Sequence, residues 1–526
     1  MKTILLSSLL GLLGLNMLQA QPTFSEDIAP IIYNNCTSCH RSGEIGPFPL
    51  TNYNEVASWA SMIQYVTEIG YMPPWKPDRE YSSFVGESGL NEQEIQLIAD
   101  WVNAGSPQGD PSLEPPLPNF PSGSQLGTPD TVLTMAEEYI IPGNNEDEYR
   151  VFVLPTGLTE DKEIAAIEFR PGNTKAVHHA LIAYEINGQA AALDAQSPGY
   201  GYEAFGDFGV PTQGNFTGYT PGIQSVKFPE GIGSILPAGA DLLIQVHYAP
   251  LPSTQTDRSS LNIFFKDTND TISREAQRVP ITPFDLPGSF PAFSIPPNTV
   301  KSFHGTKTVD EDISLISVYP HCHYLGKDWE IYAIAPNGDT IPIIRIDEWD
   351  FNWQGAYTFQ HLKKVPAGSV LHVKASYDNT TNNPYNPNNP PQSVGWGEGT
   401  ADEMYLVGMN YVLYQDGDEN ILVGGGSTTN LEEVHSNNHS RLYTPFPNPA
   451  KGEAVLSYYL HQSQNVAIEL FDVRGKLVKT LLEETVMTDG AHRLELNTQA
   501  FSEGVYTIRL RNTERVLSTS SLMIIK

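Results

Sequence analysis

The stretch Val318-Tyr-Pro-His-Cys-His-Tyr-Leu-Gly-Lys327 decides how this chain is read. It sets His321 and His323 two apart within a run of strand formers, with Ile313, Leu315 and Ile316 before it and Ile331 and Tyr332 after it. Side chains of a strand alternate between its faces, so the two imidazoles point the same way, close together. Such a pair suits a copper or zinc ion. The alternative is a chance pair of surface histidines. Cys322, lying between them, is expected to face away from their metal.

Three further stretches carry candidate ligands. Ala176-Val-His-His-Ala-Leu-Ile-Ala183 places His178 and His179 next to each other in an apolar strand. Regular alternation sends them to opposite faces, so one metal holds both only at a strand end or kink; the alternative is one core histidine and one exposed one. Leu242-Leu-Ile-Gln-Val-His247-Tyr is an apolar strand closed by a histidine. Asp402-Glu-Met404-Tyr-Leu-Val-Gly-Met409 opens a strand after a turn-rich loop, with Met409 expected in the core.

Together, and in this order, these four pieces resemble the copper type II, ascorbate-dependent monooxygenases, the peptidylglycine α-hydroxylating and dopamine β-monooxygenase family. The resemblance spans residues 129–424. It implies two consecutive β-sandwiches of jelly-roll type (129–280 and 281–424, the boundary near Pro280-Ile-Thr-Pro-Phe-Asp-Leu-Pro287) facing each other across a solvent cleft. It also implies two copper ions, one on His178, His179 and His247 and the other, catalytic, on His321, His323 and Met404. Three imidazoles tolerate both copper oxidation states, whereas a thioether favours Cu(I), the form that reacts with O2. The chain departs from the family in lacking its disulfides. It has Tyr319 where the peptide-hydroxylating members place an arginine, and Leu406 and Gly408 where polar peptide-binding residues are expected. A peptide ending in glycine is therefore not the expected substrate.

Residues 21–105 form a different unit. A short amphipathic helix over Glu26–Tyr33 runs into Cys36-Thr-Ser-Cys39-His40, the attachment pattern of a c-type haem, in which both thiols bond the porphyrin and the histidine ligates iron. The alternative is a disulfide across two residues. A soft sixth ligand is expected from Met72, in Tyr71-Met-Pro-Pro-Trp-Lys76, rather than from Met62, which lies in a helix-like run from Val56 to Ile69 where a methionine is more often core. Leu90–Gly105 reads as a helix with Ile95, Ile98, Trp101 and Val102 on one stripe. This unit resembles a class I cytochrome c domain. Residues 106–128, rich in proline, glycine and serine, read as a linker separating the haem unit from what it serves.

With 526 residues the chain exceeds a single core and calls for several domains. Residues 1–20 have the pattern of a secretory signal peptide, cut after Ala20. No later run is long and apolar enough to span a bilayer. A formal charge of −31 argues against nucleic acid, and 41 prolines with 43 glycines favour β-structure with turns over most of the length. Three cysteines are too few for a disulfide framework. The remaining histidines (His304, His361, His372, His435, His439, His461 and His492) are expected to be surface or structural, and Tyr324, Trp329 and Trp353 to be aromatic core, the alternative being the lining of a cleft.

After a polar linker over 425–441, the segment 442–526 opens with Tyr443-Thr-Pro-Phe-Pro-Asn-Pro, carries an Arg474-Gly475 turn and a Gly504-Val-Tyr strand, and ends Met523-Ile-Ile-Lys526. It resembles the C-terminal sorting domain of the type 9 secretion system of Bacteroidetes; the alternative is a generic binding sandwich. The expected protein is thus mainly β and multidomain: an exported copper monooxygenase-like enzyme that hydroxylates a C–H bond with O2. Its partners would be an organic substrate, the secretion machinery and an upstream electron donor, and its fused haem, rather than ascorbate, would reduce copper. The rival readings are a non-catalytic haem and copper electron-transfer protein and an adhesion module without copper.

Overall fold

The computed structural model describes residues 21–424 and 440–526, except 119–122, 205, 206, 215, 217, 223, 224, 268, 289–292, 398, 443, 444, 461, 473–475, 489, 514 and 515. The expected signal peptide, nearly all of the 425–441 linker, His435, His439, His461 and the Arg474-Gly475 turn lie outside the described residues. The chain divides into two compact units, Met1–Gly426 and Ser427–Lys526. It is mainly β and multidomain, with paired sheets in sandwich arrangement. No helix among the described residues is long and apolar enough to cross a membrane.

The N-terminal part is helical. Ala29–Asn35 runs into the Cys36-Thr-Ser-Cys-His40 sequence, Tyr53–Ser58 and Ala60–Glu68 are interrupted at Trp59, and Glu92–Asn103 follows. The last is set by its ends: Asn91 and Glu94 cap each other's backbone N–H reciprocally, and Gly105 takes the left-handed φ of 89° just past the final turn. Ile98 and Trp101 from this helix pack against Phe24, Ile28, Ile32 and Val56.

The first sandwich pairs a five-stranded sheet (Thr131–Thr134, Ser260–Phe265, Lys162–Arg170, Ile232–Leu236, Arg274–Glu275) with a four-stranded one (Val177–Glu185, Asp241–Tyr248, Glu148–Pro155, Tyr202–Glu203). In the second, Gln277–Ile281, Leu406–Leu413, Ile313–His321 and Tyr357–Val365 face Thr299–Thr308, Val370–Asn379, Gly326–Ile334 and Thr340–Ile346. Val370–Asn379 alternates strictly, its Leu371, Val373, Ala375 and Tyr377 entering the core, as a strand covered on one face does. Ile313–His321 is buried almost throughout because both its faces are covered: Leu315 and Val318 enter its own sandwich, while Ile316 meets Ile232 of the first.

Two expectations of domain layout are corrected. Gln277–Ile281, expected to end the first sandwich, pairs with Leu406–Leu413 and belongs to the second, so the crossover falls at Ala276. The proline-rich segment also does not hold the N-terminal helical part apart. Phe84 stacks on Phe359 with ring centroids 5.1 Å apart, and Trp75 meets Tyr357 edge-on at 5.6 Å. Val85 N donates to Thr358 O at 2.7 Å and Gln360 N to Ser83 O at 3.1 Å, adding a short strand-like edge to the second sandwich. Glu44, in the loop after His40, pairs with Arg170 of the first sandwich at 3.1 Å. Burial of Trp75 and Phe84 favours docking over a free linker.

In the second unit, the strands from Arg441–Leu442 to Val516–Ile524 enclose a core of Leu456, Ile468, Leu470, Ile508, Leu510 and Leu522.

Candidate metal centre

His178 and His179 share one site because the strand is kinked there. Pairing between Val177–Glu185 and Asp241–Tyr248 slips between Val177 and His179, and this irregularity lets adjacent residues reach the same side. His247 stands opposite His179 in the register. The Nδ1 atom of His179 lies 3.2 Å from that of His178 and 3.3 Å from that of His247. Two nitrogens bound tetrahedrally to one metal at about 2.0 Å are about 3.3 Å apart, so this spacing fits a metal ion. One proton on His179 Nδ1 serves one neighbouring lone pair, not two, whereas a cation at the centre satisfies all three nitrogens. His247 donates from Nε2 to Asp147 Oδ1 at 2.7 Å, which fixes its tautomer with Nδ1 free, and its ring stacks on Tyr149 at 4.2 Å.

His321 and His323 are turned by a second irregularity. The slip between Leu315 and Ser317 resets the alternation, so that Val318 and Cys322 enter the core while Tyr319, His321 and His323 take the other face. Cys322 faces away from the histidines as expected and accepts from Trp329 Nε1. His321 Nδ1 donates to Gln354 Oε1, whose amide is oriented by Phe351 O, and His323 Nδ1 donates to Asp402 O at 3.1 Å. Both rings therefore leave Nε2 for a ligand. The ladder ends with His321 opposite Leu406, and Met404, only 6% exposed, lies two residues before Leu406.

Glu403, which sequence reasoning missed, holds this end together. Its buried carboxylate accepts from the backbone N–H groups of His323 (2.8 Å), Leu325 (2.6 Å) and Met404 (3.1 Å) where the ladder has stopped. Desolvation raises its pKa to about 8 against the lowering effect of those N–H groups.

The two histidine groups meet directly, not across a wide cleft. The ring centroids of His179 and His321 are 6.1 Å apart, and Phe351 stacks on His178 at 4.7 Å while meeting His323 edge-on at 5.7 Å. Burial pushes His178 and His321 down to about 3 and His323 to about 4, and holds His179 well below the usual range; neighbouring imidazoles add to each effect. These rings are neutral at ordinary pH, as metal ligands must be.

In the Cys36–His40 loop, His40 N donates to Cys36 O at 2.8 Å, closing Cys36, Cys39 and His40 into one turn. His40 Nδ1 donates to Phe48 O at 3.0 Å, leaving Nε2 without a partner among the described residues. Trp59, Met62, Tyr65, Ile69 and Tyr71 form an exposed apolar stripe, a face that a porphyrin would cover. Met62, expected in the core, is 49% exposed on this stripe; Met72 is half-buried, its N–H bonded to Val66 O. Among the other histidines, His304 and His372 form an exposed pair and His361 is exposed. Trp329 is core, whereas Trp353 and Tyr324 are half-buried.

The C-terminal unit is of the class that directs exported proteins. Residues 444–526 match the family described as the secretion system C-terminal sorting domain. The chain is accordingly exported through type 9 secretion to the cell surface or the medium, with that machinery as a partner. No curated protein matches the sequence. Similar solved structures include Ruminococcus gnavus β-glucuronidase (TM-score 0.12, 12% identity, 43% of this chain and 35% of that one) and Lactobacillus rhamnosus β-glucuronidase (0.12, 13%, 43% and 35%). A third is the β-D-mannosidase of Dictyoglomus thermophilum (0.14, 13%, 43% and 29%). This chain spans about a third of the length of those proteins, and such values carry no functional argument.

Proposed function

We infer that the first unit is a copper-dependent monooxygenase-like oxidoreductase that inserts one oxygen atom of O2 into a C–H bond of an organic substrate and draws electrons from its own c-type haem. The observation that carries this reading is the convergence of three Nδ1 atoms at metal-ligand spacing beside two histidines whose Nε2 atoms are free. His178, His179 and His247 would hold one copper, and His321, His323 and Met404 the other; Cys36, Cys39, His40 and Met72 would hold the haem. Bound copper supplies one-electron redox chemistry and reactivity toward O2, and bound haem supplies single electrons. The chain's own residues fix the rest. Asp147, Gln354 and the Asp402 carbonyl hold the tautomers, burial keeps the rings unprotonated, and Phe351 and Tyr149 exclude water from the imidazole faces.

Metal content per chain tests the reading. One haem and two coppers, falling to one copper in His321→Ala/His323→Ala, is the expected result. A chain that binds haem and no copper overturns it and leaves an electron-transfer protein on a β scaffold.

A further inference from the structure

The outer face of the second sandwich carries a histidine pair that belongs to neither of the two groups at the sandwich interface. His304 lies on Thr299–Thr308 and His372 on Val370–Asn379, strands paired antiparallel over their whole length without a slip. Phe303, Leu371 and Val373 enter the core, so alternation along each strand sends His304 and His372 outward. His304 stands opposite Lys374, and His372 opposite Thr306, which makes the histidines diagonal neighbours. Ring side chains can meet across such a diagonal. These two do: Nε2 of His304 lies 2.8 Å from Nδ1 of His372, with the ring centroids 5.0 Å apart.

Spacing and support set this pair apart from a chance meeting of surface side chains. Two nitrogens bound to one metal at about 2.0 Å and at a right angle are about 2.8 Å apart, the cis arrangement of a square-planar or tetragonal ion. The nitrogens of His178, His179 and His247, at 3.2 and 3.3 Å, have the wider tetrahedral spacing. Tyr332 stands opposite His372 on the next strand, and its ring lies parallel to the imidazole, 11° and 4.9 Å away. Lys374 lies over Tyr332, its Nζ 4.9 Å from the ring centroid, and pairs with Glu330 at 2.9 Å. The His372 ring is thus held in place before a ligand arrives, which reduces the ordering cost of binding. The Lys374 charge is met by a carboxylate, so it repels an incoming cation less. Burial, and after it the Lys374 charge, lowers the pKa of His304; burial, then His304 and Lys374, lowers that of His372. Both rings are therefore neutral at ordinary pH, as metal ligands must be. The proton that one nitrogen now donates to the other moves, on binding, to the far nitrogen of its own ring, which frees both lone pairs.

We propose that His304 and His372 form a separate, outward-facing metal site that takes a divalent ion of square-planar or tetragonal preference, Cu(II) above all, with water at its remaining positions. Among the first-row divalent ions Cu(II) binds such nitrogen ligands most tightly. His304 is exposed, so on an exported chain the ion reaches the pair directly from the medium. Two side chains hold it where three are grouped at each inner site, so it exchanges more readily. The site does not rest on the monooxygenase reading, because it shares no ligand with either inner group.

Calorimetric titration with Cu(II) tests this on the full chain after it has been loaded with copper and dialysed. One further ion per chain is expected, held more weakly than any that survives dialysis. His304→Gln and His372→Gln should each weaken it about tenfold or more, since even the loss of an outer partner costs a metal site that much. Both side chains point away from the core, and an unchanged melting temperature of the metal-free variants checks that the fold is kept. A wild type that takes up no further ion overturns the proposal, as does a double variant His304→Gln/His372→Gln that titrates as the wild type does. Copper retained through dialysis separates this site from the inner ones. None retained, with a titratable ion lost in the double variant, removes the enzyme and keeps the outer site; two retained, with no such ion, does the reverse.

Discussion

Asp147 and Thr400 join the two sandwiches at the histidine cluster: Asp147 Oδ2 accepts from Thr400 Oγ1 at 2.6 Å while its other oxygen accepts from His247 Nε2. The carboxylate that orients a ligand of the first histidine group is thus anchored two residues from Asp402, whose carbonyl orients His323 of the second.

That arrangement makes Asp147→Asn a test of the first site. An amide is a weaker acceptor and does not hold His247 in the Nε2–H tautomer as firmly. Loss of such an outer partner typically costs about 10–100-fold in metal affinity. Copper titration against a competing chelator should show one site weakened by that factor, with Thr400→Val giving a smaller loss.

Glu403→Gln should act on the second site through the backbone. The amide can accept with its oxygen only, so at least one of the N–H groups of His323, Leu325 and Met404 loses its partner in a buried place. An uncompensated buried group of this kind costs about 1–3 kcal/mol. Thermal melting should show that loss, and copper stoichiometry should fall at the second site while the first is kept.

Acid should destabilise the metal-free protein through its histidines. Unfolded imidazoles take up protons as pH falls through about 6.5, whereas burial holds folded His178 and His321 neutral to about 3 and His323 to about 4. Over that window the unfolded state binds more protons, so these rings make stability decline as pH drops from about 6.5 toward 4. The melting temperature of the metal-free chain should fall across this range, and His178→Gln/His321→Gln should flatten the decline.

The parts of this site visible in the sequence are those that a strand's own period can display. His321 and His323 share a face because they are two apart, and the adjacency of His178 and His179 demanded a kink, which the pairing slip after Val177 supplies. What orients the ligands was not visible. Asp147, Gln354, Thr400 and Glu403 lie in loops or at strand ends, where position is set by tertiary pairing and no periodicity marks them. The place of Gln277–Ile281 was hidden for a related reason: that strand goes to the second sandwich through its pairing with Leu406–Leu413, a contact between residues far apart in the chain. Likewise Met62 fits a helical core pattern, and only the fold shows that its stripe lies outside the apolar interior formed by Ile63 and Val56.

The choice of sixth iron ligand can be settled on the haem's spectrum. Met72 and Met62 are both thioethers in the N-terminal helical part, the first half-buried after the helix Ala60–Glu68 and the second exposed on its apolar stripe. Met72→Ala should convert the ferric haem from low spin to high spin in its absorbance spectrum, with Met62→Ala leaving it low spin. The opposite pattern would transfer the ligand to Met62.

Docking of the haem unit gives the last prediction. Phe84 is 1% exposed and belongs to the same core as Phe359 and Tyr357, so it is part of the second sandwich's interior although it precedes that sandwich by far in sequence. Truncating a buried phenylalanine to alanine costs about 3–5 kcal/mol. If the haem unit were tethered only by its linker, Phe84→Ala would leave the melting of the sandwiches unchanged. Because Val85 and Ser83 also complete hydrogen bonds with Thr358 and Gln360, the substitution should loosen the whole edge. The expected result is a lower melting temperature for the sandwiches and faster protease cutting between residues 75 and 90, with haem content retained, since Cys36 packs against the separate helical core and Cys39 and His40 share its turn.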